Sequence, residues 1–411
     1  MTTRTFVIAG AGLAGAKAAE SLRQAGFDGK IIMLGAEAER PYERPELSKG
    51  FLQGTKERES VFVHPENWYA DNDVDLRTGS VVTDIDRPGK TVVMPSGQRI
   101  GYDKLLLATG AAPRHLNVPG GETACYLRTI GDAERLRAAI SGGGRVVVVG
   151  GGWIGLETAA AARSYGADVT VVEPQPTPLH AVLGPELGEH FARLHHRHGV
   201  ELRLGVGVSE IHKDGVGLSN GERVGADVVV VGVGAKPSTR LAEDAGLTVG
   251  DGIVVNPRLQ TSDPDIYAAG DVASAEHPGI GEHVRVEHWA NALHQGLAVG
   301  PCMLGTGTPY ENVPYFYTDQ FDLGMEYAGH VRPGGYDRVV FRGDRDKGEF
   351  IAFWVGEGRV LAGMNVNVWD VSDQIQALVR AGWRGITVSP ERLADPDVPL
   401  GSLVADEPVQ A

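Results

Sequence analysis

A chain of 411 residues exceeds what one hydrophobic core usually organises, so two or three domains are expected. With 42% hydrophobic and 22% charged residues it reads as a soluble globular protein, and nowhere does it offer the roughly 20 continuous apolar residues of a membrane-spanning helix. A net charge of −15 argues against a nucleic-acid-coating surface, and the two cysteines, Cys125 and Cys302, encode no disulfide framework, CxxC dithiol or Cys-ligated metal cluster. The first residues run into a strand-like stretch with no secretory pattern, so a cytoplasmic setting is expected. Glycine is the outlier, at 57 residues without a collagen-like period, which implies tight turns and close backbone approaches.

In chain order, residues 5–9 predict a buried strand, 10–15 (GAGLAG) a tight turn, 16–24 a helix and 30–34 a second strand. Residues 104–107 form a further apolar run ending at Ala108, Thr109 and Gly110, and the Pro- and Gly-bearing stretch 111–121 reads as a crossover between domains. The opening pattern then repeats: a strand over 145–149, GGGWIG at 150–155, a helix over 156–164 and a strand over 168–172. A run at 227–231 ends in GVGAKP (232–237), and the stretch 261–272 delivers Asp271 behind a short strand at Gly270. From about 314 the character becomes alternating and aromatic, at 338–342, 349–355 and 360–366, which predicts an antiparallel sheet and a third domain. The tail from Asp395 reads as mobile.

A single GxGxxG is a weak signal, but each copy here follows a strand, opens a helix and is followed by an acid beyond the next strand, Glu37 and Glu173. The first two glycines let backbone N–H groups approach a pyrophosphate, and the helix dipole favours that dianion. Two dinucleotides are therefore expected. Glu173 suits ribose hydroxyls and repels a 2′-phosphate, residues 174–179 hold no Arg or Lys, and His180 is the only nearby candidate cation, so NADH is favoured over NADPH. Glu37 overshoots its strand and can equally be a loop residue.

With these motifs the chain resembles the FAD-dependent ferredoxin reductases, the family that includes reductase components of aromatic-ring dioxygenases. The likeness runs through 10–15, 40–49 (RPYERPELSK), 108–110, 150–157 (GGGWIGLE), 232–237, 267–271 (YAAGD), 287–289 (EHW) with Gln295 and Gly296, and 314–320 (PYFYTDQ). It implies an α/β chain with two Rossmann-like domains, for FAD (1–112 and 240–313) and NADH (113–239), and a C-terminal α+β domain with an antiparallel sheet (314–411). It implies FAD contacts at Gly10, Gly12, Gly15, Glu37, Arg44, Lys49, Ala108, Thr109, Gly110, Asp271, Glu287, His288, Trp289 and Tyr317. Among these, Arg44 would neutralise the pyrophosphate, Asp271 bond the ribityl chain, and Trp289 open a helix aimed at the flavin pyrimidine edge. NADH contacts would come from Gly150, Gly152, Ile154, Gly155, Glu157, Glu173 and Gly234. Lys49 and Glu157 would form the charged pair beside the nicotinamide, the catalytic pair of the resemblance.

The implied activity is hydride transfer from NADH to FAD and single-electron delivery to a small iron–sulfur ferredoxin serving a monooxygenase or dioxygenase, by a monomer or weak dimer with neither nucleic acid nor membrane as partner. The family often carries Trp at 317 and Pro at 46, so Tyr317 changes the shape of the aromatic wall and Glu46 adds charge. A disulfide reductase on the same scaffold would need a reactive cysteine near the first glycine motif, and none lies between Gly15 and Cys125. The alternative is an NADH-responsive signalling or assembly flavoprotein resembling apoptosis-inducing factor.

Overall fold

The computed structural model describes residues 3–404, which divide into two compact units. The first unit comprises the chain up to Glu43, Arg58–Ala112 and Lys236–Pro314, and the second Arg44–Glu57, Pro113–Ala235 and the chain from Tyr315 onward. The segment Arg44–Glu57, counted above with the FAD domain, packs within the second unit. Among the described residues no helix is long and apolar enough to cross a membrane.

Each unit is built on a five-stranded parallel sheet. In the first, the order is Ile266–Ala268, Lys104–Leu107, Thr5–Ala9, Lys30–Leu34, Val74–Arg77. In the second it is Glu201–Leu204, Asp168–Glu173, Arg145–Val149, Val228–Val231, Cys125–Tyr126. The central strands are apolar on both faces because both faces are covered: Val146 and Val148 pack with Leu136, Ile140, Ala159 and Ala162, and Val147 and Val149 with Ile211, Val216 and Leu218. The chain leaves the central strand toward one side and returns to pair on the other, which creates a switch point at the carboxyl ends of the strands, where such sheets bind ligands.

Both helices after the glycine turns start earlier than periodicity predicts, at Leu13 and Trp153 rather than 16 and 156. Gly12 and Gly152 are their N-caps, so the third glycine of each motif is already helical. Sequence reading assigns such a glycine to the turn because it is a poor helix former, whereas packing demands it there. The strand Asp168–Glu173 runs one residue longer than predicted, which makes Glu173 its last residue.

The antiparallel sheet runs Tyr315–Gln320, Leu323–Gly329, Arg359–Val366, Glu349–Gly356, Arg338–Asp344. Its buried face, with Met325, Phe350, Trp354 and Met364, packs against Leu156, Leu187, Phe191 and Leu194 of the second unit's helices. The expectation of a mobile tail from Asp395 does not hold as far as Val404: the Arg342 guanidinium donates to the carbonyls of Asp395 (2.5 Å), Pro396 (3.1 Å) and Val398 (2.7 Å), and Leu400 and Leu403 are buried. The proline- and acid-rich composition misleads because one arginine satisfies three carbonyls that water would otherwise solvate. The rest of that expected tail, 405–411, lies outside the described residues.

His190 and His195 on the helix Pro185–Arg197 are buried. Burial, helped by Arg193, Arg197 and Arg345 at His190 and by His198 at His195, pushes each imidazole down to about 4. An unfolded imidazole titrates near ~6.5, so between that pH and ~4 the unfolded chain binds protons that the folded chain does not. Stability is complete above pH ~6.5 and falls as pH drops toward ~4, by on the order of 3 kcal/mol per histidine. Urea midpoints measured across this window should fall accordingly, and His190→Phe should flatten the slope; equal slopes in the two proteins would show that His190 is not held neutral.

Candidate functional site

The two glycine motifs build the same cradle twice. Gly10 and Gly150 have φ of +123° and +105°, and each N–H donates to the end of the neighbouring strand, Leu34 O and Val172 O, at 2.8 Å. A Cβ on Gly10 would lie 2.1 Å from Ala108 O and one on Gly150 2.4 Å from Gly232 O, so only glycine lets these loops touch. The third glycines pack the helix on the turn: a Cβ on Gly15 would sit 2.2 Å from Gly10 O and one on Gly155 2.1 Å from Gly150 O. The second glycines differ in kind. A Cβ on Gly12 would meet nothing within 4 Å, and one on Gly152 only Gly232 O at 3.9 Å. Each turn therefore faces open space from the N-terminus of a 12-residue helix, the arrangement that receives a pyrophosphate.

Around the first cradle, within the first unit, stand Ala108, Thr109 and Gly110 at the end of Lys104–Leu107, with Thr109 Oγ1 donating to Ser238 O at 2.9 Å. Glu37 lies three residues past its strand and accepts from the Tyr42 hydroxyl. Asp271 follows Gly270, whose N–H donates to the buried Gln295 side chain at 2.8 Å. Glu287 pairs with Arg285, and His288 caps the helix Trp289–Met303 by accepting from the Ala290 N–H at 3.2 Å. That helix lies close on Leu13–Gln24 because Gly296 leaves no side chain: a Cβ there would be 2.6 Å from Ala14 O.

Around the second cradle, Glu173 turns back on the glycine loop. Its carboxylate accepts from the Gly151 N–H at 2.6 Å and the Gln175 N–H at 2.9 Å, and each oxygen keeps lone-pair capacity for a ribose hydroxyl. Ile154, in the first turn of Trp153–Ser164, is 45% exposed. Gly234 bends the loop after Val228–Val231 at φ +99°.

One turn into the same helix, Glu157 is 4% exposed and meets three side chains from two other chain segments. Lys49 Nζ pairs with Oε1, the Ser48 hydroxyl donates to Oε2 at 2.5 Å, and the Thr318 hydroxyl donates to Oε1 at 2.6 Å. Lys49 also stands 5.5 Å from the Tyr317 ring centroid. Ser48 and Lys49 are delivered by Arg44–Glu57, which is anchored by buried Leu52 among Leu136, Ile140 and Ala159, by Tyr165 Oη donating to Leu52 O at 2.9 Å, and by Arg44 donating to Arg128 O at 2.5 Å. Glu46 is matched locally by Lys56 at 2.8 Å. The structure thus brings Lys49, Glu157 and Tyr317 together with Ser48 and Thr318, in the unit that holds the second cradle; the first cradle and its neighbours belong to the other unit.

Residues 4–296 match the model of the pyridine nucleotide-disulphide oxidoreductases, and residues 315–404 that of the reductase C-terminal domain. The chain belongs to the pyridine nucleotide-disulphide oxidoreductase family. It is 39% identical over 408 residues to rhodocoxin reductase of Rhodococcus erythropolis, covering 98% of this chain and 94% of that one. To the ferredoxin–NAD(+) reductase component of the anthranilate 1,2-dioxygenase system of Burkholderia cepacia it is also 39% identical, over 97% of this chain and 99% of that one. Among solved structures it is similar to a chain of the covalent putidaredoxin reductase–putidaredoxin complex, with a TM-score of 0.92, 34% identity and coverage of 98% and 99%. Like other members of this oxidoreductase family the chain is an enzyme that works with FAD and NAD(H).

For a family named after disulphides, its thiols are placed inertly: Cys302 is buried, Cys125 is half-buried, and burial raises both. Sequence reading assigned no role to Ser48 or Thr318. The available signal was Thr318 and Gln320 at alternate positions of a strand that opens on three aromatic residues, which places two polar groups on its buried face.

The glycines predict a separation of defects. Gly12→Val and Gly152→Val should fold, with thermal midpoints near that of the unaltered oxidoreductase when both are compared without bound flavin or nucleotide. Gly12→Val should purify without FAD, and Gly152→Val should keep FAD and weaken NADH binding at least about tenfold. Gly15→Val and Gly155→Val should instead lose stability by several kcal/mol, since their Cβ atoms collide with backbone. Stoichiometric flavin in Gly12→Val would show that the open space at the first turn is not the FAD phosphate site.

Proposed function

We propose that this chain takes a hydride from NADH and passes electrons singly to a small iron–sulfur ferredoxin serving a monooxygenase or dioxygenase. The observation that carries the reading is the duplicated cradle, open at the second glycine in both copies, with the Lys49–Glu157 pair one helical turn beyond the second. FAD, when bound, supplies the exchange between two-electron and one-electron chemistry. The residues of this chain bind, orient and shield. Turn N–H groups and the helix N-terminus at Gly152 hold the NADH pyrophosphate, Glu173 takes the adenosine ribose, and Ile154 gives apolar cover. Lys49 and Glu157, charged and mostly withdrawn from water, orient the nicotinamide end; removing either strands the other's charge. Ala108, Thr109, Gly110, Asp271, Glu287, His288 and Trp289 serve FAD.

Domains at 1–112 with 240–313, 113–239 and 314–411, a cytoplasmic setting and a monomer or weak dimer complete the reading. The ferredoxin as acceptor is supported by relatives named for rhodocoxin and for a dioxygenase system. Purified protein should show FAD absorption, bleach rapidly with NADH and reduce a ferredoxin faster than free dyes or oxygen. Slow reduction of every acceptor, with NADH altering association instead, would favour the signalling alternative.

Specificity for NADH over NADPH should be at least about tenfold in kcat/KM, since a carboxylate facing a 2′-phosphate costs upwards of roughly 1.4 kcal/mol. Glu173→Ala should erode the preference and, by releasing the Gly151 N–H, weaken NADH as well. Equal use of both nucleotides by the unaltered enzyme would remove Glu173 from the ribose site. In stopped-flow measurements Lys49→Ala and Glu157→Ala should each slow flavin bleaching, and the double variant should lose less than the sum of the two.

A further inference from the structure

Behind Glu157 the hydrogen bonds continue inward. Gln320 Nε2 donates to Thr318 Oγ1 at 3.1 Å, and Gln320 Oε1 lies 2.8 Å from His195 Nε2. Thr318 and Gln320 are each 1% exposed and His195 is 0% exposed, so water sets none of these orientations. One end of the chain decides the direction of the whole. As the carboxylate partner of Lys49, Glu157 can only accept, so the single Thr318 proton goes to it. Thr318 Oγ1 then accepts from the Gln320 amide, which turns the amide oxygen toward His195 and leaves His195 to donate from Nε2. The opposite histidine tautomer would put a buried N–H on Nδ1, for which no partner exists among the described residues, while the lowered titration of His195 excludes the doubly protonated ring near neutral pH.

We propose that Thr318, Gln320 and His195 are positioning residues for Glu157: a one-way donor chain, His195 to Gln320 to Thr318, that holds the carboxylate rotamer facing Lys49. The inference rests on the hydride-site reading above, and extends it to three buried residues behind the Lys49–Glu157 pair. His195 is the far anchor, on the helix Pro185–Arg197, and Gln320 links that helix to the strand Tyr315–Gln320. A hydrophobic isostere at 318 keeps the volume but removes the donor, so Glu157 loses one of its three partners and the amide of Gln320 is free to turn over.

The test uses the flavin-free protein and the holoenzyme. Nitrogen-15 spectra of histidine-labelled flavin-free protein, with His195 assigned by comparison with His195→Gln, should show His195 as the neutral Nε2–H tautomer, changing to a mixture in Thr318→Val. In the holoenzyme Thr318→Val should slow flavin reduction by NADH at least about tenfold while NAD+ affinity stays within about threefold, and Thr318→Ser should restore both the rate and the tautomer. Gln320→Met, which breaks the chain one link farther out, should slow reduction less, by about threefold, and carries the test if Thr318→Val does not fold. A wild-type His195 protonated on Nδ1, or Thr318→Val (or, in its place, Gln320→Met) reducing at the wild-type rate while Glu157→Gln is slow, overturns the donor chain. Unaltered reduction in Glu157→Gln overturns the hydride-site reading itself, and the positioning role with it.

Discussion

A single buried carboxylate holds the second unit's separate chain segments in register. Glu157 sits on the helix that opens at the second glycine turn, and its partners come from Arg44–Glu57 and from the first strand of the C-terminal sheet. A carboxylate withdrawn from water is costly unless its oxygens are filled, and here an ammonium and two hydroxyls fill them. The cost of leaving any of them empty makes the placement of Ser48, Lys49 and Thr318 specific where apolar packing alone would tolerate a slip. The pair contributes geometry more than net stability, which comes from Leu52, Leu156 and the sheet's aromatic face.

The glycine cradles express a different constraint. Steric exclusion at the first and third positions forces helix and strand together, and that closeness leaves the second position facing open space at a helix N-terminus. The nucleotide sites are consequences of tight packing around them. Because the same exclusion operates at Gly10 and Gly150, and at Gly15 and Gly155, the two units present like surfaces to like ligands although their surrounding loops share little. Glu173 tightens its own copy further by bonding to the Gly151 N–H, and Glu37 accepts from Tyr42 beside the first.

Much of this architecture was legible in the sequence, for physical reasons that act over a few residues. Apolar runs of strand length, glycines at fixed offsets and an acid at the next strand end are local signatures, and both βαβ units and the antiparallel C-terminal sheet followed from them. Where local rules misled, the cause was also local: glycines that belong to helices were assigned to turns, and an acidic, proline-bearing end was expected to be mobile although Arg342 holds it at Asp395, Pro396 and Val398 and Leu400 and Leu403 are buried.

Tertiary structure alone added Ser48 and Thr318 to the Lys49 that the resemblance had set beside Glu157. Ser48 and Thr318 lie 109 and 161 positions away from it along the chain, and no periodicity or spacing rule connects groups that far apart. The sequence by itself determined two dinucleotide cradles and their order along the chain. It could not determine that Arg44–Glu57 leaves the first unit to pack with the second, or that Thr318, Gln320 and His195 line up behind the carboxylate. Those facts arise when a buried charge and buried amide and imidazole groups must all find partners at once, a requirement that exists only after the chain has closed around them.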